Sequence, residues 1–319
     1  MGNRKDKWKR RDIIKASALS VAGLSLAGFT TDKKYAEKEL KPLPQFKGNV
    51  AFITGGARGI GFSIAETLAE QGANIVIYDI AQDIDNVPYA LSNLENLSAA
   101  KEKIESFGVQ CLAIQGDVRN FDEQKKAINE TVRAFGRLDF LIANAGVTRF
   151  GNLESHSDEM MKVLMDINIG GVAKTIKAAS PILITQKSGR IITLSSVTGR
   201  GGVGYFPVYA ASKWGVIGLT KSMAIELGSH NINCNVVCPT VIDTKMAINE
   251  HMLQAWGTEN LEDRSGIDGF LKSMHTLPIG ILSPKAIASA VSFLCSDASK
   301  NISGTVLDVS AGWTAGNNA

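Results

Sequence analysis

Apolar positions along this chain fall into two alternating patterns. Short, nearly unbroken apolar runs occupy 48–54, 73–78, 109–115, 138–143, 190–194, 233–237 and 305–309, the pattern of strands buried on both faces. Between them lie stretches with helical spacing. Ile60, Ile64 and Leu68 fall on one face of a helix predicted over 60–71, which stops at Gly72. Further helices are predicted near 92–107, 121–135, 157–180, 207–228 and 284–296. Strands alternating with helices predict a mostly parallel sheet covered on both faces, and short right-handed crossovers make it doubly wound. There is no internal repeat and no sign of a second domain.

Composition changes this picture at one end only. The 319 residues are 45% hydrophobic and 20% charged, as expected of a soluble globular chain. The net charge is +3, yet residues 1–15 hold seven bases and two acids, a net of +5, which leaves −2 for the rest. A mildly acidic body gives no electrostatic reason to expect nucleic acid. Arg10 and Arg11 precede Asp12, two aliphatic residues and Lys15, and then a weakly apolar stretch over 16–29 that is too short to span a membrane. This resembles a bacterial twin-arginine export signal. The expected division is a signal at 1–30, a polar linker at 31–46 and one domain at 47–319, with the protein exported to the periplasm, or cytoplasmic if the signal is not used.

The four cysteines are expected to be buried thiols. Cys234 and Cys238 lie four residues apart on a predicted strand, about 13 Å, too far for a disulfide, and no His or Cys neighbour completes a zinc spacing. No metal is expected.

Candidate chemistry sits at the strand ends. The turn from Thr54 to Gly61 (Thr-Gly-Gly-Ala-Arg-Gly-Ile-Gly) joins a strand to a helix. Its glycines permit a tight turn and close approach of a pyrophosphate, which the helix N-terminus stabilises. Asp79 closes the second strand, 18 residues after Gly61. A carboxylate there accepts from the adenosine ribose hydroxyls and repels a 2′-phosphate, and Ile80 places no base beside it. Arg58 is the dissenting residue, since a base in the loop could reach such a phosphate. The expected cofactor is NAD rather than NADP.

Together with Asp117-Val118 after the third strand and Asn144-Ala145-Gly146 after the fourth, this turn resembles the short-chain dehydrogenase/reductase family over about residues 46–319. The resemblance implies a Rossmann fold in which Gly55, Arg58, Gly59, Ile60 and Gly61 cradle the cofactor, Asp117 and Val118 contact adenine, and Asn144 and Gly146 lie along it. Ala143 stands where the family has a second asparagine. The strongest motif is Tyr209-Ala-Ala-Ser-Lys213. On a helix the tyrosine and lysine share a face, and an ammonium one turn away favours the phenolate that alcohol oxidation needs as a base. The family lysine also holds the nicotinamide ribose. Ser196, 13 residues earlier, is expected to bond the substrate oxygen, with Ser195 as the neighbouring choice. Asn168 matches the family asparagine that supports a proton-relay water. In the loop after the sixth strand the family backbone meets the nicotinamide carboxamide, which places Val241 and Thr244 in contact; Thr240 stands where the family has glycine.

The function implied is hydride transfer between a secondary alcohol and a ketone, with Tyr209 as acid and base. Thr240 and the long connection over 81–92 further resemble the carveol dehydrogenase-like, mycofactocin-associated branch. That connection is expected to fold over the cofactor, or else to be an ornamental loop. Residues 245–282 form an expected apolar, Met-rich substrate lid, suiting a small cyclic or apolar alcohol; a sugar or uronate derivative is the alternative if Asn249, Gln254 and Glu259 face the pocket. His251 and His275 are expected at the solvent-exposed surface. A homo-oligomer, commonly a tetramer in the family, and a redox partner are further expectations. The glycine spacing argues against sugar-nucleotide epimerases, and the four-residue Tyr–Lys interval against enoyl reductases. A non-catalytic NAD sensor is disfavoured by the intact Ser, Tyr, Lys and Asn set.

Overall fold

The computed structural model describes residues 45–256, 260 and 264–316. The expected signal at 1–30 and all but the last two residues of the expected linker lie outside them. Phe46, the last linker residue, belongs to the folded body: it is buried, its N–H donates to the Gln71 carbonyl, and its ring packs edge-on against Phe140.

Seven strands form one sheet in the order β3-β2-β1-β4-β5-β6-β7, and every pairing is parallel. The strands are β1 Val50–Thr54, β2 Asn74–Asp79, β3 Cys111–Gln115, β4 Phe140–Ala143, β5 Gly189–Leu194, β6 Ile232–Pro239 and β7 Val306–Val309. The order reverses between β1 and β4, so their C-terminal ends splay apart and open a crevice where a dinucleotide binds in such sheets. Two apolar layers cover the faces. Ile53, Ile64 and Ile77 mark one, and Phe52, Leu141 and Val236 the other. All four cysteines are free and buried.

The helices that carry the site are α1 Gly59–Glu70, α2 Leu94–Glu105, α3 Phe121–Phe135, α4 Asp158–Met165, α5 Val172–Gln186 and α6 Pro207–Gly228. α7 Leu253–Trp256 and α8 Arg264–Met274 follow β6, and α9 Pro284–Cys295 leads to β7. The single helix expected over 157–180 is instead two helices joined by a π-helical turn at Asp166–Gly171. The turn has a packing reason: a Cβ on Gly171 would stand 2.7 Å from the Val118 side chain, and the wider turn carries Asn168 into the interior, where it is fully buried.

Candidate active site

The first turn is built to leave space beside a helix end. Gly55 and Gly59 take left-handed φ values of +65° and +59°. A Cβ on Gly61 would meet the Gly55 carbonyl at 2.1 Å. Arg58 precedes α1 without a side-chain cap, so the first N–H groups of that helix face the crevice. Asn144 closes the other side: its side-chain amide donates to the Thr54 and Gly55 carbonyls, each at 3.0 Å. This residue therefore staples the turn to β4. The cradle fits a pyrophosphate.

Asp79 is buried and already bonded. Its carboxylate accepts from the N–H of Ala57 and of Ala81, at 3.0 and 3.1 Å, and from the Ser92 hydroxyl. Arg58, the dissenting base, donates to the Ala90 carbonyl at 2.6 Å. Burial lowers its pKa, with Asp79 among the charges opposing that shift. One N–H of the guanidinium is thus tied to the connection over 81–92, while Arg58 still lines the cavity. Asp117 is ion-paired with Arg119, and its carbonyl accepts from the Tyr78 hydroxyl. Val118 lines the cavity next to it.

The connection over 81–92 is fixed at three points along the crevice. Ser92 bonds Asp79 and Ala90 receives Arg58. Farther along, the Tyr89 hydroxyl accepts the Thr148 N–H at 3.0 Å. Tyr89 lines the same cavity as Asp79, Arg58 and Tyr209, so the connection runs along the wall of the crevice. The ornamental-loop reading does not describe it.

Tyr209 and Lys213 project from one face of α6, whose first residue is Pro207. The lysine Nζ lies 5.5 Å from the centre of the tyrosine ring and donates to the Leu194 carbonyl at 2.9 Å. Burial pushes the Tyr209 phenol up to about 12, opposed by a hydrogen bond with the Ser196 hydroxyl. Burial likewise lowers the Lys213 ammonium to about 8. Of the two serines, Ser196 faces Tyr209, whereas the Ser195 hydroxyl donates to the Lys213 backbone carbonyl at 2.8 Å. Gly199 is explained by the same contact, because a Cβ there would stand 2.5 Å from the Ser195 oxygen. Asn168 clamps Val147: its carbonyl accepts the Val147 N–H at 2.8 Å, and its amide donates to the Val147 carbonyl and to Ser212. Gly146 lies between them, with space for a Cβ only 3.2 Å from Asn168 and 3.4 Å from the Lys213 nitrogen.

These residues share one cavity of about 910 Å³. Of the expected site residues, Gly61 and Asn168 are not on its wall and support residues that are. Val241, Ile60 and Thr244 line it, and the Thr244 methyl region faces Gly59 across the crevice. The wall beyond Tyr209 is aromatic. Phe150 stacks on Tyr205 at 5.4 Å and meets Phe206 edge-on, and Phe206 in turn abuts Tyr209. Tyr205 holds φ +63°, a left-handed conformation unusual for a bulky residue. No short motif marks this wall. The apolar residues of the expected lid form their own small core, centred on Met252, Trp256, Ile267 and Leu271.

Two expectations need correction. His275 is buried at 6% exposure and bonded through both ring nitrogens, to Thr240 and to the Ile279 carbonyl. His251 is partly buried and its Nε2 accepts the Phe150 N–H at 3.1 Å. Neither is a solvent-exposed surface histidine. Asn249 also does not serve the pocket: its side chain bonds the Lys245, Met246 and Met252 backbones. The Gln254 and Glu259 side chains lie outside the described residues.

A parallel sheet with a glycine cradle at its switch point and a tyrosine–lysine helix beside it defines a dinucleotide-binding α/β class. The family model described as short chain dehydrogenase matches residues 49–253, and the chain belongs to that family of oxidoreductases. It is 38% identical over 272 residues to an uncharacterised oxidoreductase of Mycobacterium tuberculosis, covering 84% of this chain and 96% of the relative. It is 34% identical to a (−)-trans-carveol dehydrogenase of Rhodococcus erythropolis, covering 85% and 99% of the two chains. Among solved structures it is similar to carveol dehydrogenase from Mycobacterium avium in complex with NAD, with a TM-score of 0.82, 37% identity, and coverage of 85% and 99%.

Proposed function

We propose that this protein is an NAD-dependent dehydrogenase that interconverts a small cyclic or apolar secondary alcohol and its ketone. The observation that carries this reading is the placement of Ser196, Tyr209 and Lys213 in one cavity with the glycine cradle, at the foot of an aromatic wall. NAD, when bound in the cradle, supplies the hydride acceptor for oxidation and the donor for reduction. In oxidation the hydroxyl proton passes to the Tyr209 phenolate oxygen as the C–H bond breaks and its hydrogen leaves the carbinol carbon with the bonding electron pair. In reduction Tyr209 returns that proton to the oxygen. Ser196 fixes the substrate oxygen beside Tyr209, and the Lys213 ammonium favours the phenolate. Asn168 holds Val147, and so the cofactor-side backbone, in place. A screen of cyclic alcohols, sterols and sugars for cofactor reduction tests the substrate class, and turnover confined to sugars would overturn it. The engagement of Asn249 with the lid backbone supports the apolar alternative over the sugar alternative.

Asp79→Ala should move cofactor preference toward NADP. The change removes the ribose acceptor and also strips the Ala57 and Ala81 N–H groups of their partner, leaving two donors suited to a phosphate. The ratio of kcat/KM for NAD over NADP should fall by at least about tenfold, on the order of one charge-assisted hydrogen bond. An unmodified enzyme that uses both cofactors equally would contradict the assignment.

The sequence pattern at 1–30 further supports export by a twin-arginine route, which carries folded proteins. An exported enzyme needs its cofactor on board and a second substrate or redox partner to reset it. The three anchors of the 81–92 connection support a slow cofactor exit. Replacing Arg10 and Arg11 by Lys should leave the protein in the cytoplasm, and protein purified without added cofactor should carry NAD. Protein that emerges cofactor-free and binds NAD weakly would remove the retention reading.

A further inference from the structure

His275 and Thr240 meet where the substrate-side helices touch the loop at the end of β6. Thr240 is buried at 7% exposure, its N–H donates to the Val309 carbonyl, and it lines the cavity. His275 follows α8 directly and its N–H donates to the Leu271 carbonyl at 2.8 Å. The ring Nδ1 stands 2.7 Å from the Ile279 carbonyl, which can only accept, so Nδ1 carries the proton. In the neutral ring Nε2 is then a bare acceptor, and the Thr240 hydroxyl, 2.9 Å away, donates to it. The carbonyl on the far side of the ring thus fixes the Nδ1 bond, and in the neutral ring the Thr240 bond with it. Trp313 packs against the imidazole at 6.0 Å, and the Thr276 hydroxyl donates to the Gly312 carbonyl, so the histidine is held from the chain's C-terminal side as well.

We propose that His275 is a positioning residue which, through Thr240, sets the cavity wall formed by the 240–244 loop against α8 and so determines substrate affinity. α8 contributes Ile267 and Leu271 to the small core that backs the substrate side, with Trp256 in the same core. Phe270 and Met274 of α8 line the cavity, as do Val241 and Thr244 of the loop. The Thr240–His275 bond is a direct polar tie between these two walls. A second tie between the same walls, the Arg264–Asp243 ion pair at the start of α8, is half exposed to solvent, so the buried Thr240–His275 bond is the better shielded of the two. Loosening the tie widens the substrate side, and it reaches the glycine cradle only through Thr244, which faces Gly59. The inference rests on the reading of the site as a dehydrogenase for small apolar alcohols.

The test is a double-mutant cycle with Thr240→Val, His275→Leu and the pair, plus Thr240→Ser as the conservative rescue. Each single change is expected to raise KM for the preferred alcohol about tenfold, the loss of one buried hydrogen bond, with kcat changed less than about threefold. Binding of the product ketone to the enzyme–NADH complex, followed by fluorescence titration, should weaken by the same factor. NADH affinity should weaken by clearly less than ketone affinity, about threefold at most, because only Thr244 of this loop faces the glycine cradle. The double variant should be no worse than the worse single one, and Thr240→Ser should stay within about twofold of the unmodified protein. Thr240→Val keeps the side-chain shape, so it carries the test if His275→Leu does not fold. Losses that multiply in the double variant, or a Thr240→Ser as impaired as Thr240→Val, would overturn the pairing. An unmodified protein that oxidises no secondary alcohol fails the dehydrogenase reading instead, while a thermal-unfolding cycle on the same variants still decides whether the two residues act as one: Tm losses that add in full in the double variant would overturn the pairing.

Discussion

Tyr209→Phe should lower turnover by about a thousandfold, the middle of the range for losing a positioned general acid–base group, while NADH binding stays within about threefold. The ring remains to pack against Phe206, so the fold should be retained. Only the oxygen that takes and returns the proton is gone. The pH dependence follows from its environment. Burial holds the phenol up at about 12 in the cofactor-free protein, so at neutral pH it keeps its proton. The phenolate fraction then grows with pH, and alcohol oxidation should rise from neutral pH to about 8, above which loss of the Lys213 proton should flatten the rise. Ketone reduction uses the protonated form and should stay nearly flat over the same range. Steady-state rates in both directions, paired with NADH titration, check this. A variant with near-normal turnover would remove Tyr209 from the mechanism.

Lys213→Met should abolish turnover and make the cofactor-free protein more stable. Lys213 is 4% exposed, and burial takes its ammonium from the ordinary 10.5 down to about 8. The folded state therefore binds the proton less tightly than the unfolded chain does. Below about pH 8 both states are protonated and the full penalty applies, on the order of 3 kcal/mol. Between about 8 and 10.5 the unfolded chain holds more protons, so the unmodified protein gains stability as pH rises. Methionine is uncharged and removes the penalty, but leaves the Leu194 carbonyl without its donor, which costs about 1 kcal/mol. The net gain of about 2 kcal/mol should raise Tm by several degrees at pH 7, and the advantage should shrink towards pH 10. Scanning calorimetry at the two pH values decides the matter. A Tm that falls at pH 7 would mean that the buried ammonium stabilises the fold. A site that weakens the protein in order to hold a charge beside Tyr209 fits a functional origin for that burial.

The seven strands are legible in the sequence because a parallel sheet buried on both faces leaves unbroken apolar runs, such as Ala51–Thr54 and Ile75–Tyr78. The glycine turn and the Tyr209–Lys213 pair are equally legible, since each depends on neighbours a few residues away. What could not be read depends on distant partners. His275 finds Thr240 35 residues away, and His251 finds the Phe150 N–H at a separation of 101, so their burial leaves no local trace. Arg58 could be named as a base facing the cofactor, but not as the donor to the Ala90 carbonyl 32 residues away. The π-helical turn at Asp166–Gly171 brings Gly171 against Val118 of another part of the chain, a long-range contact that an apolar spacing reading as one continuous helix does not show. Spacing favours Ser196 over Ser195 for the substrate side, and in the structure the Ser195 hydroxyl is engaged by the backbone of helix α6.

The central claim is that this protein moves a hydride between a secondary carbinol carbon and a nicotinamide. The most direct measurement uses a cyclic secondary alcohol carrying deuterium at the carbinol carbon, incubated with the protein and NAD, with both products analysed by mass spectrometry. The account predicts one deuterium in the reduced cofactor for each ketone formed, and loss of both signals in Tyr209→Phe. Ketone formed with the deuterium released to water, or no ketone from any cyclic alcohol offered, would contradict it.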